Sequence, residues 1–143
     1  MNVKSILSEK GRYVATVEPT ATLDAAAKML ATHRIGALVV LGADARVVGI
    51  LSERDVVRVI AERGAAALDE PLAQSMTRKV ATCTEADTVG DIMEQMTSGK
   101  FRHLPVIEQG RLVGIVSIGD VVKQRLQEIE QEKSALTDYI RTA

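Results

Sequence analysis

The chain repeats itself, and this constrains its fold more than any other feature. Val14-Ala15-Thr16 returns 66 residues later as Val80-Ala81-Thr82. Gly49-Ile50-Leu51-Ser52-Glu53-Arg54-Asp55-Val56-Val57 returns 65 residues later as Gly114-Ile115-Val116-Ser117-Ile118-Gly119-Asp120-Val121-Val122. A fixed internal period means that one supersecondary unit is used twice, each copy helping to bury the other. The one residue lost between the two anchors falls in a polar stretch, Gly42 to Arg46 against Glu108 to Arg111, where a surface turn absorbs a length change at least cost.

Both copies carry the same local signals. Thr22 precedes Leu23, Ala26, Ala27 and Leu30, and Thr88 precedes Val89, Ile92, Met93 and Met96. A capping hydroxyl ahead of apolar residues at three- and four-residue spacing predicts a helix in each place. The β-rich runs Ala37–Leu41 and His103–Ile107 follow, then a turn, then Val47–Leu51 and Leu112–Val116, which predicts two hairpins. A further helix is expected after Ser52 and after Ser117, the first ending near Gly64. Pro105 has no N–H to give to a ladder, so its strand is expected at an edge or locally irregular.

Each half therefore reads as a β-α-β-β-α unit, with residues 1–66 as the first repeat, 67–125 as the second and 126–143 as a helical extension. Half of 143 residues is too little to bury a sheet well. The expected fold is α+β, with the two repeats packed through their sheets about a pseudo-two-fold axis. The seam between them is the natural ligand cleft.

Composition narrows the function. A net charge of −1 offers no basic stripe for nucleic acid, and 2% aromatics without Trp removes the platforms on which single strands stack. No run approaches membrane-spanning length and the opening MNVKSILSEK lacks a signal-peptide core, so no membrane partner is expected and the cytoplasm is the expected compartment. Cys83 is the only cysteine and takes the place of Val17 in the repeat, where a small apolar residue is wanted. His33 and His103 form no nucleophile–base grouping, the aspartates Asp55 and Asp120 stand apart from other carboxylates, and there is no Gly-x-Gly-x-x-Gly. An enzyme, a metal site and a catalytic cofactor are not expected.

The duplicated Gly-h-h-Ser-x-x-Asp (h apolar), the Val-x-Thr opening each repeat, and Arg102-His103-Leu104-Pro105-Val106 together resemble a tandem CBS domain pair, the module named after cystathionine β-synthase. The resemblance covers roughly Val3 to Val122. It implies a stand-alone signalling protein that binds adenosine-containing ligands in clefts between its repeats: AMP, ADP or ATP, in some members NAD or S-adenosylmethionine. It also implies disc-like dimers, parallel or antiparallel.

Ser-x-x-Asp has two readings. It is close to a capping box and arises at a helix start without any ligand. The same geometry also presents unpaired N–H groups and a partial positive charge to phosphate, while an ionised Asp accepts from a ribose diol. The resemblance assigns these roles to Ser52 and Asp55 at one site and to Ser117 and Asp120 at its twin. Phosphate calls for nearby cations, and Arg34 and Lys100 at equivalent positions, Arg54 inside the first signature, and the adjacent Arg102 and His103 are candidates, the last pair strongest. By resemblance, adenine falls against Ile35, Gly36 and Ala37 in one site and against Phe101 and its neighbours, Pro105 included, in the other. Phe101 equally suits a core, and Thr16 and Thr82 are either base contacts or ordinary β-branched strand residues.

The halves differ before Val14. The first carries Ser8-Glu9-Lys10-Gly11-Arg12-Tyr13 where the second has only Thr77-Arg78-Lys79. Lys10, a permissive Gly11 and Tyr13 are long enough to reach a cleft mouth, and this loop is expected to make the two sites unequal, one tighter or open to a larger ligand such as NAD. Beyond the second signature, Val122, Leu126, Ile129, Leu136 and Ile140 follow a heptad stripe in which Lys133 fills one core position. The stripe suits either coiled-coil pairing or packing back on its own domain. Pairing fits better, since so small a fold has few surfaces to receive it, and a homodimer is expected. A ligand-free dimerising adaptor is the alternative to a nucleotide sensor.

Overall fold

The computed structural model describes residues 1–142. Helix α1 (Val3–Lys10) is followed by β1 (Thr16–Val17), α2 (Leu23–His33), β2 (Ala37–Leu41), β3 (Val47–Ser52) and α3 (Glu53–Arg63). The second half runs α4 (Val89–Gly99), β4 (His103–Glu108), β5 (Arg111–Ser117) and α5 (Ile118–Thr142). The helix starts follow from their caps: the Thr22 hydroxyl accepts from the Ala25 N–H, and Thr88 and Asp91 form a reciprocal capping box. Gly64 ends α3, as its position in the sequence predicts. Arg34 and Lys100 end α2 and α4 in the left-handed conformation at φ 53° and 57°, so the repeat is kept even in an uncommon backbone region for residues other than glycine.

The two sheets differ. The first has three strands in the order β1-β2-β3, β1 parallel and β3 antiparallel to β2; the second has only β4 antiparallel to β5. A bulge interrupts β2/β3 between Val40 and Leu41 and β4/β5 between Val106 and Ile107, the same place in the repeat, so Pro105 is not its cause. Pro105 acts on the other side. In the first half the Val39 N–H donates to the Ala15 carbonyl at 3.1 Å. Pro105 is the counterpart of Val39 and has no N–H, so that bond is lost and the leading strand shrinks to a bridge at Cys83. Cys83 still donates to the Pro105 carbonyl at 3.0 Å and accepts from Ile107 at 2.9 Å.

Among the described residues there are two hydrophobic cores, and they do not divide as the sequence repeats do. One is built from α4, β4 and β5 together with Val3, Ile6 and Leu7 of α1. The other holds Leu23, Ala26, Leu38, Val40 and Leu51 with Leu72 and Met76, which come from beyond α3. Each leading segment thus packs into the opposite half. The exchange is tied by matching bridges, Asn2 to Thr88 and Pro71 to Thr22. It also explains the glycine of each signature. A Cβ on Gly114 would stand 2.7 Å from Leu7, and one on Gly49 2.6 Å from the Met76 sulfur. Those glycines make room for the exchanged side chain.

The stripe on α5 stays on the surface, with Val122, Leu126, Ile129, Leu136 and Ile140 between 45% and 65% exposed. The other side of the helix's first turns packs on the second half, with Val121 in the core and Gln124 buried beside it, so it is the stripe and not the whole helix that lies uncovered.

Candidate functional site

Both Ser-x-x-Asp pairs cap helices. The Ser52 N–H donates to Asp55 Oδ2 at 3.0 Å while the Asp55 N–H donates to Ser52 Oγ at 3.3 Å. At the second junction the matching distances are 2.9 Å and 3.2 Å for Ser117 and Asp120. Each Ser lies at the end of a hairpin, opposite Ala37 in one case and His103 in the other. The first turn of each following helix is also pinned from the facing strand, Glu53 N–H to the Gly36 carbonyl at 2.9 Å and Ile118 N–H to the Arg102 carbonyl at 2.8 Å. The capping reading of the signature is therefore realised at both places.

The aspartates are not equally available. Asp55 is only 4% exposed and is surrounded by the Ser52 hydroxyl, the Arg58 guanidinium at 3.0 Å and the Thr77 hydroxyl at 3.4 Å. Asp120 is partly exposed and binds the Lys10 ammonium at 2.7 Å, while Lys10 also donates to the Ile115 carbonyl at 3.0 Å. Burial pushes the Asp120 carboxyl up, but the Lys10 ammonium and the Ser117 N–H and hydroxyl outweigh it and hold it below its ordinary value.

A cavity of about 700 Å³ opens at the first junction. Its floor is Ser52, Glu53, Arg54, Asp55 and Arg58 from the first half; its opposite wall is Thr77 to Ala81 and Gly99 to His103 from the second, Arg78 excepted. Five cations, Arg54, Arg58, Lys79, Lys100 and Arg102, face two carboxylates, Glu53 and Asp55, so the cavity attracts anions. Ile50, Val80, Ala81 and Phe101 add an apolar side. Phe101 lines the cavity and also packs against the core of the second half. His103 lies on the seam with its ring against Gly36, where a Cβ would come within 3.2 Å of it. Burial lowers its pKa; Lys10 and Arg102 push the same way, while Glu53 and Asp120 oppose them, and the imidazole is held neutral.

Of the residues singled out in the sequence, Gly36, Ser52, Arg54, Asp55, Lys100, Phe101, Arg102 and His103 line this cavity. Lys10, Ser117 and Asp120 gather at the second junction, and Tyr13 stands beside His33 with ring centroids 6.5 Å apart. Arg34 and Ile35 lie with Gly36 in a separate cavity of about 480 Å³ between α2 and α3. Thr82 lines a third, of about 410 Å³, beside Arg46 and Arg78. Thr16 is exposed on β1, Ala37 and Pro105 are buried in strands, and Gly11 ends α1 at φ 98°. Arg58, Thr77, Lys79, Val80 and Ala81 escape the sequence reading. The signal for the last four is the repeat itself: Thr77 and Lys79 stand in the shorter copy of the loop before Val14, and Val80 and Ala81 repeat Val14 and Ala15. Among the described residues no group of three or more His, Cys, Asp or Glu side chains is placed to hold a metal ion, and no helix is long and apolar enough to cross a membrane.

The family model for the CBS domain matches residues 3–62 and again residues 72–126. The chain belongs to the CBS domain family. A CBS-domain containing protein from Agrobacterium tumefaciens superposes with a TM-score of 0.84 at 50% identity, covering 87% of this chain and 92% of that one. A CBS domain protein from Pyrobaculum aerophilum complexed with AMP is 32% identical at a TM-score of 0.75, over 84% of this chain and 89% of that one. A third CBS domain pair, in complex with 5′-methylthioadenosine and S-adenosyl-L-methionine, is 26% identical at a TM-score of 0.80, over 90% and 98%. Against the first three curated relatives this CBS pair spans 68%, 58% and 41% of their lengths.

Proposed function

We propose that the protein is a regulatory module that binds an adenine nucleotide at the seam of its repeats, with the first cleft as the principal site. The observation that carries the reading is a cavity of about 700 Å³ walled by both halves, in which five cations, drawn from both walls, share the lining with the apolar Ile50, Val80, Ala81 and Phe101. That is the complement of a phosphorylated nucleoside, and relatives of the same fold are bound to AMP in one case and to 5′-methylthioadenosine and S-adenosyl-L-methionine in another. The base lies against Val80, Ala81 and Phe101, the phosphates among Arg54, Lys79, Lys100 and Arg102, and the α3 N-terminus adds its N–H groups. The cation excess favours AMP, ADP or ATP, and accommodates NAD, over an uncharged nucleoside. The role is to sense rather than to catalyse: a ligand that grips both walls stabilises one arrangement of the halves, and only such differential affinity moves a conformational equilibrium.

Thermal unfolding with AMP, ADP, ATP, NADH and S-adenosylmethionine tests this. A ligand at 100 times its dissociation constant adds about 2.7 kcal/mol to the folded state. A shift with the nucleotides is the expected result. No shift with any adenosine compound removes the sensor reading and leaves the dimerising adaptor, which the exposed α5 stripe favours. In either case we infer a cytoplasmic homodimer.

A further inference from the structure

The two junctions neutralise their aspartates from different places. Asp55 is paired with Arg58, one turn further along the same helix. Lys123 is the counterpart of Arg58 in the repeat, yet it lies near Glu9 at 4.0 Å. The cation on Asp120 is instead Lys10, the last residue of α1, which arrives from the exchanged leading segment. Its ammonium takes up Asp120 Oδ2 and also the Ile115 carbonyl. The counterpart of that carbonyl, on Ile50, accepts a backbone N–H from Thr77 at 2.9 Å. At the second junction a charged side chain takes the place of a backbone donor.

We propose that Lys10 is a charge selector for the second cleft, admitting adenosines that bring an anion to Asp120 and disfavouring those that do not. The inference rests on the nucleotide reading above. A ribose diol that reaches Asp120 must move the ammonium aside. A displaced, partly buried ammonium needs another anion, and a 5′-phosphate supplies one through a bond of the same charge-assisted kind. Adenosine supplies none, so the ammonium loses its partner or the ribose loses Asp120. The first cleft has no such device: Arg58 stays on its own helix, and Arg54, Lys79, Lys100 and Arg102 are free to meet phosphate without leaving Asp55.

AMP and adenosine, which differ only in the phosphate, are titrated into the full-length protein and followed by amide NMR. Gly119 and Asp120 report the second cleft, Arg54 and Asp55 the first. The parent should respond at Gly119 and Asp120 to AMP at concentrations about tenfold lower than to adenosine. Lys10→Met should bring that ratio to about one by strengthening adenosine and weakening AMP, Lys10→Arg should keep it, and the first-cleft ratio should not move. If the Met variant does not fold, Lys10→Gln, which keeps a donor for Ile115 without the charge, serves the same comparison. An unchanged second-cleft ratio, or equal changes at both clefts, overturns the selector while nucleotide binding stands. Silence at both junctions with both ligands overturns the nucleotide reading and the selector with it.

Discussion

The first half of the molecule completes a three-stranded sheet and settles the charge of its aspartate within one helix; the second half keeps two strands and borrows a cation from the other end of the chain. Both differences arise from few residues. Pro105 in place of Val39 removes one donor, and Lys10 at the end of α1 places its ammonium on Asp120. A duplicated unit thus keeps its caps, bulges and signature glycines while its two junctions diverge, because the caps are set by local backbone geometry and each glycine by the same close approach of an exchanged side chain, whereas the cation on each aspartate comes from a different element.

The largest effect is expected where that exchange is packed. Leu7 is 1% exposed and fills the space left by Gly114. Leu7→Ala should cost about 3 kcal/mol, and Met76→Ala at the matching place beside Gly49 should cost about 2 kcal/mol, because a thioether site relaxes more easily around a loss. Urea unfolding of the two variants measures this. If Leu7→Ala costs less than about 0.5 kcal/mol, as surface substitutions do, α1 is an appendage and not part of the second core.

A smaller effect separates the junctions by pH. Asp120 has its folded-state pKa below the ordinary 3.8, so its contribution is fully present above that value and is lost as the pH falls through the lower, folded one. His103 is also lowered from 6.5, chiefly by burial, so folding favours its neutral form. That contribution is present above 6.5 and is lost as the pH falls from there towards the folded value. Stability against pH should therefore fall in two separate steps. His103→Gln should remove the one just below 6.5 and Asp120→Asn the one below 3.8. Asp120 is partly exposed, so its step should be under about 1 kcal/mol. A pH profile left unchanged by Asp120→Asn breaks the link between Lys10 and the second junction.

Much of this was legible in the sequence. The repeat, the caps at Thr22, Thr88, Ser52 and Ser117, and the stop at Gly64 are local events, each written in residues within a turn or two of the place they act. The exchange was not legible, because Val3, Ile6 and Leu7 at helical spacing say that a face is buried but not against which half. Without the exchange, Lys10 and the segment Thr77 to Ala81 could be placed near clefts only by analogy, and the burial of Asp55 under Arg58 and Thr77 could not be foreseen. The site residues that surfaced were those inside the signature or beside a hairpin. Of those missed, Thr77, Lys79, Val80 and Ala81 came from the leading segment of the opposite repeat and Arg58 from α3, one turn beyond the signature.

The smallest effect bears on the sheets themselves. If the missing N–H of Pro105 is what reduces the leading strand of the second half to the bridge at Cys83, then Pro105→Val should let residue 105 donate to the Ala81 carbonyl, as Val39 does to Ala15. One added hydrogen bond contributes about 1 kcal/mol, and loss of proline's restraint on the unfolded chain removes roughly 0.4–1 kcal/mol, so the net stability should hardly change. Hydrogen exchange is the sensitive measurement. The new amide at 105 should be protected about as well as that of Val39, and the neighbouring Cys83 amide should gain protection with it. An amide at 105 that exchanges freely, in a variant of unchanged stability, would mean that the two halves differ for a reason other than this one donor.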